Sequence, residues 1–148
     1  MKIKIIKCSF KKILVFFMAA FIMFSLNLAC AEELMEEQAV EYFKEALEAQ
    51  KSGDFDLAVS LYTKAIYIKP NYAKAHNNLG TTYVQKGNQA KAKEEYNRAV
   101  IIDSHYVTAL KNLAIIYAER KDYEKFYEYW KRATGLDIYS PFLIDEEE

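Results

Sequence analysis

The chain has 148 residues, room for one domain, with 20 basic and 21 acidic side chains and a formal charge of −1. That balance hides two unlike parts: residues 1–31 hold five lysines and no acid, and removing those five leaves 15 basic against 21 acidic side chains, a formal charge of −6. A mildly acidic body lacks the clustered basic face that nucleic acid rewards, and because both cysteines, Cys8 and Cys30, lie in residues 1–31, the body cannot form an internal disulfide or a thiolate metal site.

The first element is an address. Lys2, Lys4, Lys7, Lys11 and Lys12 precede an unbroken apolar run, Ile13–Phe24, followed by Ser25-Leu26-Asn27-Leu28 and Ala29-Cys30-Ala31. A basic start, a 12-residue apolar run and small residues at its end describe a secretory signal peptide, with the mature chain starting at Glu32. Two other fates use the same residues. Uncleaved, residues 13–31 would span roughly 28 Å as a helix and serve as an N-terminal membrane anchor, lysines inside. Cys30 could instead carry a lipid, although Asn27 stands where an aliphatic residue is preferred. Each fate puts the body outside the cytoplasm, in the periplasm or cell envelope, secreted or membrane-anchored. Contact with a membrane is expected only through residues 1–31, if they are retained.

After residues 32–38, a linker or helix extension, a 34-residue period runs three times. Ala46, Gly80 and Ala114 share one column, Ala65, Ala99 and Ala133 a second, and Tyr62, Tyr96 and Trp130 a third. Units of this length cannot bury their apolar faces alone and must stack. In the middle unit Leu79, Gly80 and Tyr83 mark one face of a first helix, and Ala92, Tyr96 and Ala99 line a second. Gly87 between them supplies a left-handed C-cap, and Asn88 can cap the second helix. Small residues at Gly80 and Ala92 let the two axes approach, with Tyr83 and Tyr96 filling the seam. The first unit repeats this with Tyr42, Ala46, Ala49, Gly53-Asp54-Phe55, Ala58, Tyr62, Ala65 and Ile68; Pro70 stops its second helix and Asn71 can open the next unit. The expected fold class is all-α, an α-α solenoid of three helical hairpins over 39–72, 73–106 and 107–139, then a C-terminal acidic tail, 140–148.

The third unit departs from the pattern. Leu110, Leu113, Ala114, Tyr117, Trp130 and Ala133 follow it, but Lys121 stands where the others have Gly53 and Gly87. A non-glycine residue held left-handed there costs roughly 1 kcal/mol. Phe126 replaces the small Ala58 and Ala92, so this hairpin is expected to open or tilt. Ile138 stands where Pro70 stood, and Gly135 ends the helix early.

These columns closely resemble the tetratricopeptide repeat (TPR) family over about residues 39–138. The resemblance implies a superhelix with a concave groove, lined by the first helices, that binds peptides or protein surfaces. By register the groove face is Phe43, Lys44 and Leu47, then Lys74, Asn77, Asn78 and Thr81, then Thr108, Lys111, Asn112 and Ile115. Asparagines there can donate to and accept from a peptide backbone whatever its sequence, and Lys74 and Lys111 can attract a carboxylate. The chaperone-docking branch of the family grips a C-terminal carboxylate with lysines, asparagines and an arginine. Of its five slots only Asn78 matches, the others holding Phe43, Leu47, Thr108 and Asn112. The apolar Phe43–Leu47 pair points to a partner with some hydrophobic character, or to cover by residues 32–38. The last unit lacks an obvious solvating helix, so its apolar tail either folds back or leaves a docking surface of Phe126, Tyr127, Trp130 and Phe142.

Catalysis is not expected. His76 reads as a packed histidine and His105 as a turn residue, 29 positions apart. No nucleophile with a base and no glycine-rich phosphate loop is present, and Glu94–Glu95 reads as a solvated face. The chain is expected to be an exported, non-catalytic adaptor or scaffold with a protein or peptide partner and no cofactor or metal. The alternative is a self-associating or membrane-anchored structural subunit of an envelope or pilus-type assembly, with a homodimer as one possible form.

Overall fold

A computed structural model of the chain describes residues 2–135, with side chains for Met18 and from Phe21 onward. Among the described residues six helices follow one another: α1 (Lys2–Lys51), α2 (Phe55–Ile68), α3 (Ala73–Gln85), α4 (Gln89–Ile102), α5 (Val107–Glu119) and α6 (Tyr123–Thr134). Among the described residues there is no strand, and the fold is an all-α helical repeat. The chain divides into two units, Met1–Glu37 and Gln38–Glu148.

The first unit is helical, and from Phe21 to Glu37 its side chains are exposed; Phe21 is 72% and Phe24 68% exposed. Residues 32–38 are helical within α1. Among the described residues no helix is long and apolar enough to cross a membrane. The apolar run 13–24 lies largely where side chains are not described.

In the second unit residues 38–51 of α1 pair with α2, α3 with α4, and α5 with α6, three hairpins built on the 34-residue register. The turn inside each hairpin uses the same bonds. Gly53, Gly87 and Lys121 adopt φ of +83°, +74° and +60°. The next residue's N–H reaches back to the helix in each case: Asp54 to the Ala49 carbonyl (2.9 Å), Asn88 to Tyr83 (2.8 Å) and Asp122 to Tyr117 (3.0 Å). That is the six-to-one bond of a Schellman C-cap. Asp54, Asn88 and Asp122 then cap the second helices, accepting from the N–H of Leu57, Lys91 and Lys125 at 3.1, 3.1 and 3.3 Å. Lys121 is thus held left-handed, as its register implies, because the bonds on either side of it leave no other path.

Between hairpins the chemistry differs from expectation. Asn71 does not open α3: Tyr72 occupies its N-cap position, and Tyr106 that of α5, neither with a side-chain cap bond. In α3 the Ala75 N–H, in the position that a cap side chain serves in α2, α4 and α6, bonds instead to the Tyr72 carbonyl at 2.9 Å.

Two buried clusters fill the array. One joins Phe43, Ala46, Ala58, Tyr62 and Leu79 across the first two hairpins, and the other joins Tyr96, Val100, Leu110, Leu113 and Ala133 across the last two. Tyr83 packs on both. Each fully buried leucine, such as Leu110 or Leu113, contributes about 2 kcal/mol. Glu94–Glu95 is a correction to the solvated-face reading. Glu95 is largely buried, and its Oε2 lies 2.7 Å from Nδ1 of the buried His76. Gly135, at φ +68°, ends α6. Ile138, Phe142 and the acidic tail lie outside the described residues.

Candidate functional site

The first helices carry most of the residues expected to line the groove, and the structure sorts them by exposure. Lys44, Lys74, Thr108, Lys111 and Ile115 are exposed, while Leu47, Asn78, Thr81 and Asn112 are half-buried. Two do not face outward. Phe43 is 4% exposed, its ring centroid 5.7 Å from that of Tyr62 and 5.0 Å from that of Tyr72. It is a core residue, because the neighbouring hairpin covers it; only the Lys74 ammonium lies over its ring, at 5.3 Å. Asn77 is also 4% exposed.

Asn77 is buried because it is a rung of a polar ladder. The Asn112 amide donates to Asn77 Oδ1 at 3.1 Å, and the Asn77 amide donates to Asn78 Oδ1 at 3.2 Å. On the first hairpin the Tyr62 hydroxyl donates to Gln50 Oε1 at 2.9 Å. The Gln50 amide donates to Gln85 Oε1 at 2.8 Å. Amide bonds therefore link all three hairpins, Gln50 to Gln85 and Asn77 to Asn112, and these amides are occupied in holding first helices together. Burial pushes the Tyr62 hydroxyl up to about 12, partly countered by the Asn78 bond. Sequence register identified these asparagines but assigned them to a ligand, since pairing between hairpins is invisible in a single repeat.

Where α3, α4 and α5 meet, a pocket of about 210 Å³ opens. Tyr96 and Ile116 form its floor, and Thr81, Val84, Asn112 and Ile115 its walls. Gln85, Gln89 and Glu119 complete the lining. Three expected groove residues, Thr81, Asn112 and Ile115, are thus brought together. Val84, Gln85, Gln89, Tyr96, Ile116 and Glu119 were not anticipated. The signal for two of them was present: Val84 and Glu119 lie one helical turn beyond Thr81 and Ile115, on the same faces. Val84 and Ile115 are 43% and 52% exposed.

On α6, Phe126 and Trp130 stack at 5.9 Å between centroids, and Tyr127, Phe126 and Trp130 are all half-buried. Tyr127 lies under the Lys131 ammonium at 6.0 Å. Phe142, the fourth member of that expected surface, lies outside the described residues. His76 places Nε2 3.2 Å from the Pro70 carbonyl oxygen, beside its Glu95 contact, and is a packing residue. His105 is exposed and bonds to Ser104. Among the described residues no group of three or more His, Cys, Asp or Glu side chains is placed to hold a metal ion.

Two overlapping stretches match family models: residues 50–87 match TPR repeat, and residues 73–106 match tetratricopeptide repeat. Solved structures share the fold. MamA superposes with a TM-score of 0.63 at 22% identity, covering 66% of this chain and 57% of that one. The first TPR of Spaghetti (RPAP3), bound to the HSP90 peptide SRMEEVD, gives 0.64 at 20% identity, covering 69% and 83%. The Sgt2 TPR domain from Aspergillus fumigatus gives 0.61 at 24% identity, covering 65% and 64%. The chain thus spans little more than half the length of the MamA chain. No curated protein sequence matches it.

Proposed function

We propose that this chain, whose residues 50–106 are tetratricopeptide repeats, is an exported, non-catalytic adaptor that holds a protein partner along its first helices, in the periplasm or cell envelope. The single observation behind the binding reading is the pocket between α3, α4 and α5, which gathers Thr81, Asn112 and Ile115 on neighbouring first helices and leaves aliphatic surface open to solvent. TPR modules mediate protein–protein interaction, and one of the structural neighbours, the first TPR of Spaghetti, carries a bound peptide. Export rests on residues 1–31: five lysines, an apolar run and small residues at its end. The helix there exposes Phe21, Phe24 and Leu26.

A photo-crosslinking amino acid at Ile115 tests the binding reading against one at Tyr67, an exposed position on α2. A specific protein adduct in cells from position 115, absent from 67, is the expected result; equal labelling from both sinks the groove assignment. The intact mass of the native protein tests export, and a chain that begins at Glu32 is expected. A protein recovered with residues 1–31 from the soluble cytoplasmic fraction would overturn it.

A further inference from the structure

We propose that the pocket between α3, α4 and α5 takes one aliphatic side chain from an internal segment of a partner protein, with a cationic residue next to it facing Glu119. This deepens the groove reading and rests on it.

The pocket is apolar where it is deep. Its floor is made of Tyr96 and Ile116, each 3% exposed, and its open walls are the aliphatic side chains of Val84 and Ile115. The one polar atom of the floor is already occupied, since the Tyr96 hydroxyl lies 3.1 Å from Thr81 Oγ1. A polar ligand group inserted against Tyr96 and Ile116 would exchange water for mostly apolar surface, whereas an aliphatic one covers exposed methyl groups. At about 210 Å³ the space suits one side chain of leucine or isoleucine size and is too small for a folded surface.

The mouth carries charge of one sign. Glu119 is the single charged residue of the lining, and its Oε2 accepts from the Gln89 amide at 2.5 Å. Among the described residues no cation lies within ion-pair distance of it. An exposed carboxylate beside an apolar hole repels an incoming C-terminal carboxylate or acidic side chain and attracts a cation. The nearest groove lysines are elsewhere: Lys111 is two turns away on α5, roughly 12 Å along the helix, and Lys74 lies over the Phe43 ring. The segment that fits therefore has an aliphatic residue beside a basic one and need not end a chain.

The test uses capped peptides with a glycine–serine background and one central Leu-Lys pair, titrated into the full chain. The readout is the methyl resonances of Val84, Ile115 and Ile116. These should shift with the Leu-Lys peptide and stay in place when its leucine is serine. Changing its lysine to glutamate should weaken binding about fivefold, the size of one exposed ion pair. Glu119→Gln should erase that lysine-over-glutamate preference while leaving the leucine dependence. A preference unchanged in Glu119→Gln overturns the charge assignment. Pocket methyls that remain still at millimolar peptide overturn the inference. If resonances of Lys74, Asn78 and Lys111 then move instead, the groove reading stands without it. If none moves and crosslinking at 115 also fails, both fall.

Discussion

A methyl group added at Gly80 would lie 2.7 Å from Tyr96 Cε1 and 3.1 Å from the Ala92 carbonyl oxygen, closer than such atoms pack. Gly80→Ala gains roughly 1 kcal/mol of helix propensity but forces a rigid ring and a backbone carbonyl to move, at about 1–3 kcal/mol. A net loss of about 1 kcal/mol in urea unfolding is expected, and combining it with Tyr96→Leu should cost less than the two losses added. His76 is the second sensitive residue. Both its ring nitrogens are engaged, one 2.7 Å from Glu95 Oε2 and the other 3.2 Å from the Pro70 carbonyl oxygen. Glu95→Ala strands the imidazole between α3 and α4 and should destabilise by about 3 kcal/mol, whereas a paired His76→Leu, Glu95→Leu change should recover much of that. A loss below 0.5 kcal/mol, about the scatter of surface substitutions, would show the pair to be incidental.

At the scale of the helix, the hairpin turns are local and the seams are not. Gly53-Asp54 and Gly87-Asn88 announce a left-handed C-cap followed by an N-cap, and the same bonds form at Lys121-Asp122 with no glycine to signal them. The seams are built from tyrosines whose hydroxyls burial raises: Tyr62 to about 12, and Tyr96, Tyr72, Tyr106 and Tyr129 in the same direction. A raised value means the folded state keeps the phenolic proton longer than the unfolded chain, which ionises near 10. The stabilisation is therefore complete below about pH 10 and falls as pH rises toward 12. Alkaline unfolding followed by circular dichroism should begin just above pH 10, with tyrosine ionisation cooperative with loss of helix. Tyr62→Phe should flatten that fall, and an unchanged pH profile would mean Tyr62 ionises freely in the folded state. Asn77 and Asn112 were legible as groove positions, but the bond between them spans two hairpins, and no local pattern reports that.

Across the whole array, register explains where it begins. The slots of Ala75, Leu79 and Thr82 in the second hairpin, and of Ala109, Leu113 and Ile116 in the third, are buried. In the first hairpin the same slots hold Glu41, Glu45 and Glu48, all exposed. They rim a wide depression over Leu47, Leu57 and Leu61, where a preceding hairpin would otherwise pack. Three carboxylates make that end soluble, as a terminal repeat requires. Replacing them by Ala, Leu and Thr, the residues of the second hairpin, should convert the chain to a self-associating species in sedimentation experiments; a variant that keeps the wild-type mass would refute the capping role.

The sequence by itself determined the helical repeat, its 34-residue register, the hairpin caps and the face on which a partner is sought, because helix periodicity, turn residues and small-residue columns are all local or periodic quantities. Only the tertiary structure decided which of those face residues are free. Phe43 and Asn77 are taken into the interior, Glu95 leaves solvent for His76, and Val84, Ile115 and Glu119 come together at one pocket. The physical reason is that exposure and pairing depend on the neighbouring hairpin: the same slot holds a core ring, a hydrogen-bonded amide or an exposed lysine according to what is stacked against it.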